Sequence, residues 1–265
     1  MYPLLLASNC SSLDLLGDAP RLYLDLLKKC LTRVLFCDSS FSWDLQSTNP
    51  FDLGARRDGK DWPTEAETMI GLNRLDNLQY CICDVLENGI PGDLVETDVW
   101  RGGASIFMRA VLEAFGDRRR QVWLADSFQG LPEPDGEQYP ADAGDPHHSL
   151  SSYLAVSVEK VKANFARYAL LDGRVHFLEG WFKDTLPSAP VDRIAVLRLD
   201  GDMYESTIEA LVYLYHKVSA CGFVIVDDYG ALANCRRAVD DFRMSREICE
   251  PLIAIDWTGV YWRKD

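Results

Sequence analysis

The sequence has no apolar run approaching the length of a membrane span, so no transmembrane segment is expected. Its apolar start, Met1 to Leu6, is short. It has no basic stretch before it and no convincing cleavage site after it, so no signal peptide is expected. Basic residues are scarce: 27 Lys and Arg stand against 41 Asp and Glu, a formal net charge of -14. That charge repels nucleic acid and anionic membranes and argues against both as partners. Part of the acidity can serve a cation site, while most of it reads as a solvated face. The four histidines are too few for a histidine metal centre. The eight cysteines are Cys10, Cys30, Cys37, Cys81, Cys83, Cys221, Cys235 and Cys249. They form no CxxC pair and no Cys/His cluster, which argues against structural zinc. Several lie in apolar periodic stretches, where a free cysteine is a small core residue, and a reducing cytoplasm suits them. GxGxxG is missing, and no phosphate-binding lysine follows a glycine turn, so a phosphate loop is disfavoured.

What is present is the composition of an ordinary globular protein, and 265 residues suffice for a single large α/β domain. Residues 1–17 read as an irregular lead-in. A helix starts near Asp18 and Pro20, which supply an N-cap and a favourable first turn. Leu22, Tyr23, Leu26, Leu27, Cys30, Leu31, Val34 and Leu35 follow at helical spacing as one apolar face. Residues 37–61 are rich in Ser, Asp, Asn and Gly and predict a long loop, a candidate lid. A second helical region runs from Pro63 to Gly89. Residues 1–91 thus form a helical extension with a lid, and residues 92–265 the core. In that core, strands are expected at Leu94–Thr97, Gln121–Ala125, Val175–Leu178, Ile194–Leu199 and Phe223–Val226. Helices are expected at Ser105–Phe115, Val156–Tyr168 and Thr207–Val218. Leu252–Ile255 and Val260–Trp262 flank the turn Trp257-Thr258-Gly259 as an antiparallel hairpin. This alternation means an α/β fold, a mostly parallel sheet with helices on both faces, whose ligands bind at the carboxyl ends of the strands.

The strand ends are therefore where chemistry is sought. The first runs Glu96-Thr97-Asp98-Val99-Trp100-Arg101-Gly102-Gly103 into a helix. Its two glycines allow close backbone approach to a ligand, or they form a plain strand-to-helix turn. The second strand ends Asp126-Ser127-Phe128. An acid there can accept hydrogen bonds from ribose hydroxyls, or it can cap a helix. Together these two ends favour a nucleoside-bearing cofactor. The fourth strand ends Asp200-Gly201-Asp202 and the fifth Asp227-Asp228-Tyr229. Four carboxylates so placed repel one another unless a cation compensates, and Mg²⁺ prefers such oxygen ligands. The alternative is that some cap helices and others face solvent. His147 and His148 lie in an irregular stretch; either is a solvated loop residue or, over the site, a general base.

With these residues the chain resembles the macrocin O-methyltransferase family. The resemblance is carried by Glu96 to Gly103 with Ser105-Ile106-Phe107-Met108-Arg109, by Ala125 to Pro132 (ADSFQGLP), by Leu199 to Ser206 (LDGDMYES) and by Val226 to Tyr229. Asp61-Trp62-Pro63, Thr68 to Leu72 and Gly180-Trp181-Phe182 fit as well, so it spans roughly residues 20 to 265. It implies a Rossmann-like methyltransferase sheet that uses S-adenosyl-L-methionine and Mg²⁺. Asp200, Asp227 and Asp228 would hold the metal. Thr68, Met69, Glu96, Thr97, Val99, Trp100, Arg101, Gly102, Gly103, Asp126, Ser127, Gly180, Trp181 and Asp200 would contact the cofactor. Asp202 and His148 are the two candidates for the base. One departure is Asp98, where the family pattern has glycine; a side chain there crowds the methionine end of the cofactor or shifts its charge balance.

Related members methylate sugar hydroxyls on macrolides and aminocoumarins, so a glycosylated small molecule is the expected acceptor. The acceptor pocket is expected from residues 37–61, from 133–150 and from the region after Asp228. The competing enzyme reading is a metal-dependent methyltransferase of a catechol-like phenol. A nicotinamide-dependent oxidoreductase and a catalytically silent binding protein are the other classes. The missing GxGxxG and the intact Asp200, Asp227 and Asp228 count against them. Assembly as a homo-oligomer is left open.

Overall fold

The computed structural model describes residues 17–265, so Cys10 and nearly all of the expected lead-in lie outside the described residues. The N-terminal part begins with helix α1 (Asp18–Leu31). Asp18 lies in its first turn, and the N-cap position is Gly17, which makes no side-chain cap. Leu24, Leu27 and Leu31 are its buried stripe. Leu22 and Leu26 were expected on the same face but are exposed. At about 100° per residue they stand roughly 200° around the helix from Leu24. Lys28 reaches Asp76 at 2.5 Å and ties α1 to a later helix that carries that residue.

The stretch expected as a bare loop is structured. Strands β1 (Ser40–Phe41), β2 (Thr48–Asn49) and β3 (Trp62–Pro63) form a small antiparallel sheet around helix α2 (Leu53–Asp58). One buried side chain explains the order. Arg56 donates to both carboxylate oxygens of Asp61 at 2.9 Å and to the carbonyls of Thr32 and Asp38 at 2.7 and 2.9 Å. A polar composition conceals such an anchor, because nothing local marks which arginine is buried. Helix α3 (Gly71–Glu87) completes the extension.

The core contains β4 (Asp93–Thr97), α4 (Gly103–Ala114), β5 (Val122–Asp126), α5 (Ser151–Leu154), α6 (Val158–Arg167) and β6 (Val175–Glu179). It continues with α7 (Phe182–Thr185), β7 (Ile194–Leu199), α8 (Tyr204–Leu214), β8 (Val218–Val226), α9 (Ala233–Ser245), β9 (Ile253–Ala254) and β10 (Val260–Arg263). The sheet order is β6-β5-β4-β7-β8-β10-β9. The first five strands of that order are parallel. β10 joins β8 antiparallel and forms the expected hairpin with β9, pairing Tyr261 with Ile253. Successive strand residues point to opposite faces. Leu94, Val196 and Ile225 therefore pack with α1, α3, α4 and α6, whereas Val95, Leu197 and Val224 pack with α7, α8 and α9.

Two expectations need correction. α8 stops at Leu214, and β8 starts at Val218, not Phe223. Exposed Ala220 and Cys221 interrupt its apolar run and hide its first half from the pattern. Helix α9 was not anticipated; Cys235, Ala238, Val239 and Phe242 supply its apolar stripe within a strongly charged stretch. Among the described residues, no helix is long and apolar enough to cross a membrane.

Candidate active site

Strand order reverses between β4 and β7, which opens a crevice at the sheet's carboxyl edge. A cleft lies there. Glu96, Asp98, Asp126, Asp200, Asp202, Asp227 and Asp228 all line it. The residues leaving these strands adopt backbone conformations that side chains disfavour. Asp98 (φ 60°), Trp100 (47°), Phe128 (56°) and Asp202 (34°) lie at the ends of β4, β5 and β7. Strain of this kind collects where a fold must aim side chains at a site.

The acids are partly compensated from within. Arg198, on β7, is buried and bridges Glu96 at 2.7 Å, Asp200 at 3.0 Å and Asp227 at 2.5 Å. Arg74, on α3, pairs with the other oxygen of Asp227 and lies 3.1 Å from Asp256. Burial raises the Asp227 pKa, but the two guanidinium charges outweigh it and hold this carboxyl below its ordinary value. The other acids move up. Burial raises Glu96 to about 7 against the pull of Arg198. It raises Asp200 to about 6, again opposed by Arg198. Asp202 rises to about 8 through burial and the charges of Asp200 and Asp227. Asp228 is pushed well above the carboxylate range by burial and by Asp202 and Asp200. The four strand-end acids were expected to need an added cation; the fold supplies two arginines, against seven carboxylates in the cleft wall.

Asp200, Asp227 and Asp228 each bring a ligand atom within 4.8 Å of the others. The Oδ2 of Asp228 is buried without a hydrogen-bond partner among the described residues. An all-oxygen donor set with an orphaned buried oxygen fits a hard divalent cation.

The remaining expected residues divide. Thr68, Met69, Val99 and Trp100 line the cleft. Ser127 and Trp181 line an adjoining pocket that shares Asp98 and Gly130 with it. Asp126 accepts from the backbone N–H of Val99 at 2.7 Å and of Phe128 at 2.6 Å; burial raises its pKa to about 6 against these bonds. Thr97, Arg101, Gly102, Gly103 and Gly180 do not form the cleft wall. Arg101 is spent on the carbonyls of Thr64 and Ala66, both at 2.9 Å. The glycine pair meets a packing demand. A Cβ on Gly103 would come 2.5 Å from the Glu67 carbonyl oxygen, and one on Gly102 2.6 Å from Val161.

His148 is also absent from the cleft wall; its Nδ1 lies 3.0 Å from the Pro132 carbonyl. The neighbouring His147 lines the cleft instead, its Nδ1 held by Asp145 at 2.6 Å. Asp142 fixes this stretch by accepting from the backbone N–H of Tyr204 and Glu205, at 2.9 and 2.8 Å, at the start of α8. Arg74, Arg198 and Asp142 escaped the sequence reading. Of these only Arg198 left a signal, as a charge inside an otherwise apolar strand.

A parallel sheet ending in an antiparallel hairpin, with an acid-lined cleft at its switch point, is the frame of a Rossmann-like methyltransferase. The solved O-methyltransferase NovP shares it at a TM-score of 0.88 and 50% sequence identity, over 92% of this chain and 99% of that one. The chain belongs to the macrocin O-methyltransferase (TylF) family, whose model matches residues 20–264. It is 55% identical over 246 residues to the 8-demethyl-8-(2,3-dimethoxy-alpha-L-rhamnosyl)-tetracenomycin-C 4'-O-methyltransferase of Streptomyces olivaceus, covering 93% of this chain and 94% of that protein. It is 50% identical to the demethyldecarbamoylnovobiocin O-methyltransferase of Streptomyces niveus, over 92% of this chain and 93% of that one. The chain is therefore an O-methyltransferase.

Proposed function

We propose that this enzyme methylates a hydroxyl of a sugar attached to a secondary metabolite, using S-adenosylmethionine and Mg²⁺. The observation that carries the reading is the convergence of Asp200, Asp227 and Asp228 in one cleft that Asp202 and Asp126 also line. The two relatives above support the acceptor class, since one is named for a rhamnosyl tetracenomycin and the other for a novobiocin precursor. S-adenosylmethionine supplies an electrophilic methyl group when bound, and Asp126, Val99 and Trp100 are the residues placed to hold it. Mg²⁺ on Asp200, Asp227 and Asp228 would supply Lewis-acid help that makes a sugar hydroxyl easier to deprotonate.

This chain's own residues do the rest. Asp202 takes the proton from the acceptor oxygen. It lines the same cleft as the three metal-holding acids, and with their charge taken up by a divalent cation its carboxylate is free to accept a proton. Arg198 and Arg74 fix Asp227 from both sides, so the acidic cluster keeps its shape before any ligand arrives. Trp43, Trp62, Trp100, Leu150, Leu154 and Trp257 give the cleft apolar walls that exclude water around the reacting groups.

The test is an intact-mass screen for the gain of one methyl group. It presents glycosylated tetracenomycin-type, aminocoumarin and macrolide acceptors beside a simple catechol, with S-adenosylmethionine and Mg²⁺. Methylation of a glycoside that stops in excess chelator supports the reading. Methylation of the catechol alone rejects the sugar acceptor, and full turnover in chelator rejects the metal.

A further inference from the structure

Asp98 is an unbalanced charge at the centre of the cleft. It follows β4 in a left-handed conformation, φ 60°, which costs a non-glycine residue energy. Its Oδ2 is sealed from solvent and has no hydrogen-bond partner among the described residues. That oxygen is packed against Gly201, where an added Cβ would come within 2.9 Å of it. The strongest electrostatic neighbours of Asp98 are all acids, namely Asp126, Asp202, Asp200 and Glu96. Arg198 and Arg74 are bonded elsewhere, to Glu96, Asp200 and Asp227. Nor does Asp98 belong to the cluster that could hold a metal ion. An unpaired carboxylate in such a place is unfavourable; burial and the neighbouring acids push Asp98 toward taking up a proton, and a cation that enters the cleft is the alternative that keeps it ionised.

Position decides which part of the ligand that is. Asp98 lines both the main cleft and the adjoining pocket, its Oδ2 packs against Gly201, and Asp126 and Asp202 are its two strongest electrostatic neighbours. If Asp126 meets the ribose and Asp202 meets the acceptor hydroxyl, the group between them is the one that joins the ribose to the transferred methyl. In S-adenosylmethionine that group is the sulfonium, and it carries the cofactor's permanent positive charge. We propose that Asp98 is the counter-charge for the sulfonium of the methyl donor, and so makes the enzyme prefer the charged donor over its neutral thioether product. This rests on the assignment of S-adenosylmethionine as cofactor. The role is one of binding and discrimination: once the methyl has left, the charge that Asp98 balances is gone, and the product is released more readily.

Calorimetry on the full chain, with Mg²⁺ present, tests this. S-adenosylmethionine and S-adenosylhomocysteine are titrated into wild type, Asp98→Asn and Asp98→Gly. Asn keeps the shape and removes the charge, while Gly also relieves the left-handed backbone, so at least one variant should fold normally by thermal unfolding. Wild type should bind the sulfonium compound more tightly. Both variants should lose about tenfold for it, on the scale of a lost charged contact, and less than about threefold for the thioether. Equal losses for both compounds would mean that Asp98 meets the shared amino group or only shapes the turn, and would sink the proposal. So would unchanged affinities. Wild type that binds neither compound would instead overturn the cofactor assignment itself, a distinct result.

Discussion

Replacing Arg198 with methionine is the most demanding test of how the acidic edge is held. Arg198 is fully buried on β7 and serves three carboxylates, Glu96, Asp200 and Asp227, at 2.7, 3.0 and 2.5 Å. Methionine fills much of the same volume but leaves those acids without their shared cation. Breaking a buried pair from one side costs about 3–5 kcal/mol. At roughly 2–4 °C per kcal/mol for a domain of this size, the melting temperature should fall by about 6–20 °C. The loss should also depend on pH. Glu96 has a folded pKa of about 7, above its ordinary 4.5, so its contribution to stability is present below 4.5 and is lost as pH rises through about 7. Arg198 opposes that rise; without it the folded pKa climbs further and the loss continues above 7. The destabilisation should therefore be larger near pH 8 than near pH 5.5. Urea unfolding followed by circular dichroism at the two pH values, in chelator so that no metal substitutes, measures both. A loss below about 1 kcal/mol at the higher pH, or an equal loss at both, would show that Arg198 does not neutralise this cluster.

The other predictions address ligands. Asp126→Ala should weaken S-adenosylmethionine binding by about 1–3 kcal/mol in calorimetry; tight NAD binding with none of S-adenosylmethionine would refute the site. Because ribose hydroxyls donate to the ionised carboxylate, wild-type affinity should fall as pH drops through about 6, the Asp126 value, and a rise there would contradict the assignment. Asp227→Asn should lower turnover while leaving cofactor affinity largely intact, and a parallel loss of both would place Asp227 in cofactor binding instead. Hydrogen exchange should slow in the turn at 42–47, which carries exposed Trp43, when cofactor and acceptor are both bound. The residues around buried Arg56 should be protected throughout; an unchanged turn in an occupied complex would argue against closure.

The parallel core was legible because its central strands are short runs buried on both faces, as in Ile194–Leu199, which is apolar but for Arg198. The strand-end acids were legible because parallel topology forces their positions together, whatever the intervening sequence. Legibility failed where order depends on a single distant partner. Residues 37–61 look like loop until Arg56 is seen to reach back to Thr32 and Asp38. The packing demand on the glycine pair at 102–103 is invisible until Glu67 and Val161 are found against it. His147 and His148 are adjacent and chemically alike, and only the 3₁₀ turn at Pro146–Leu150 decides which ring lines the cleft. Helix α9 hid for another reason: its four buried apolar residues sit among five charged ones, which lowers the mean hydropathy without disturbing the spacing.

Charge compensation was the least legible feature, and it is the one that organises the site. Arg74 comes from α3, more than a hundred residues before Asp227, so no local pattern could pair them. With both arginines placed, the acids are no longer equivalent. Asp227 is held on both oxygens, and Glu96 is satisfied by Arg198 and Ser105. Asp126 is satisfied by backbone N–H groups. Two cleft-lining carboxylates retain a sealed oxygen with no partner among the described residues, Asp228 and Asp98. An uncompensated oxygen in a buried site is relieved by a proton or by a cation from outside the chain. The reaction proposed here brings two cations, a divalent metal and a sulfonium. Asp228 belongs to the three-carboxylate cluster and Asp98 does not, its strongest electrostatic neighbour being Asp126, so the metal is assigned to the first and the sulfonium to the second.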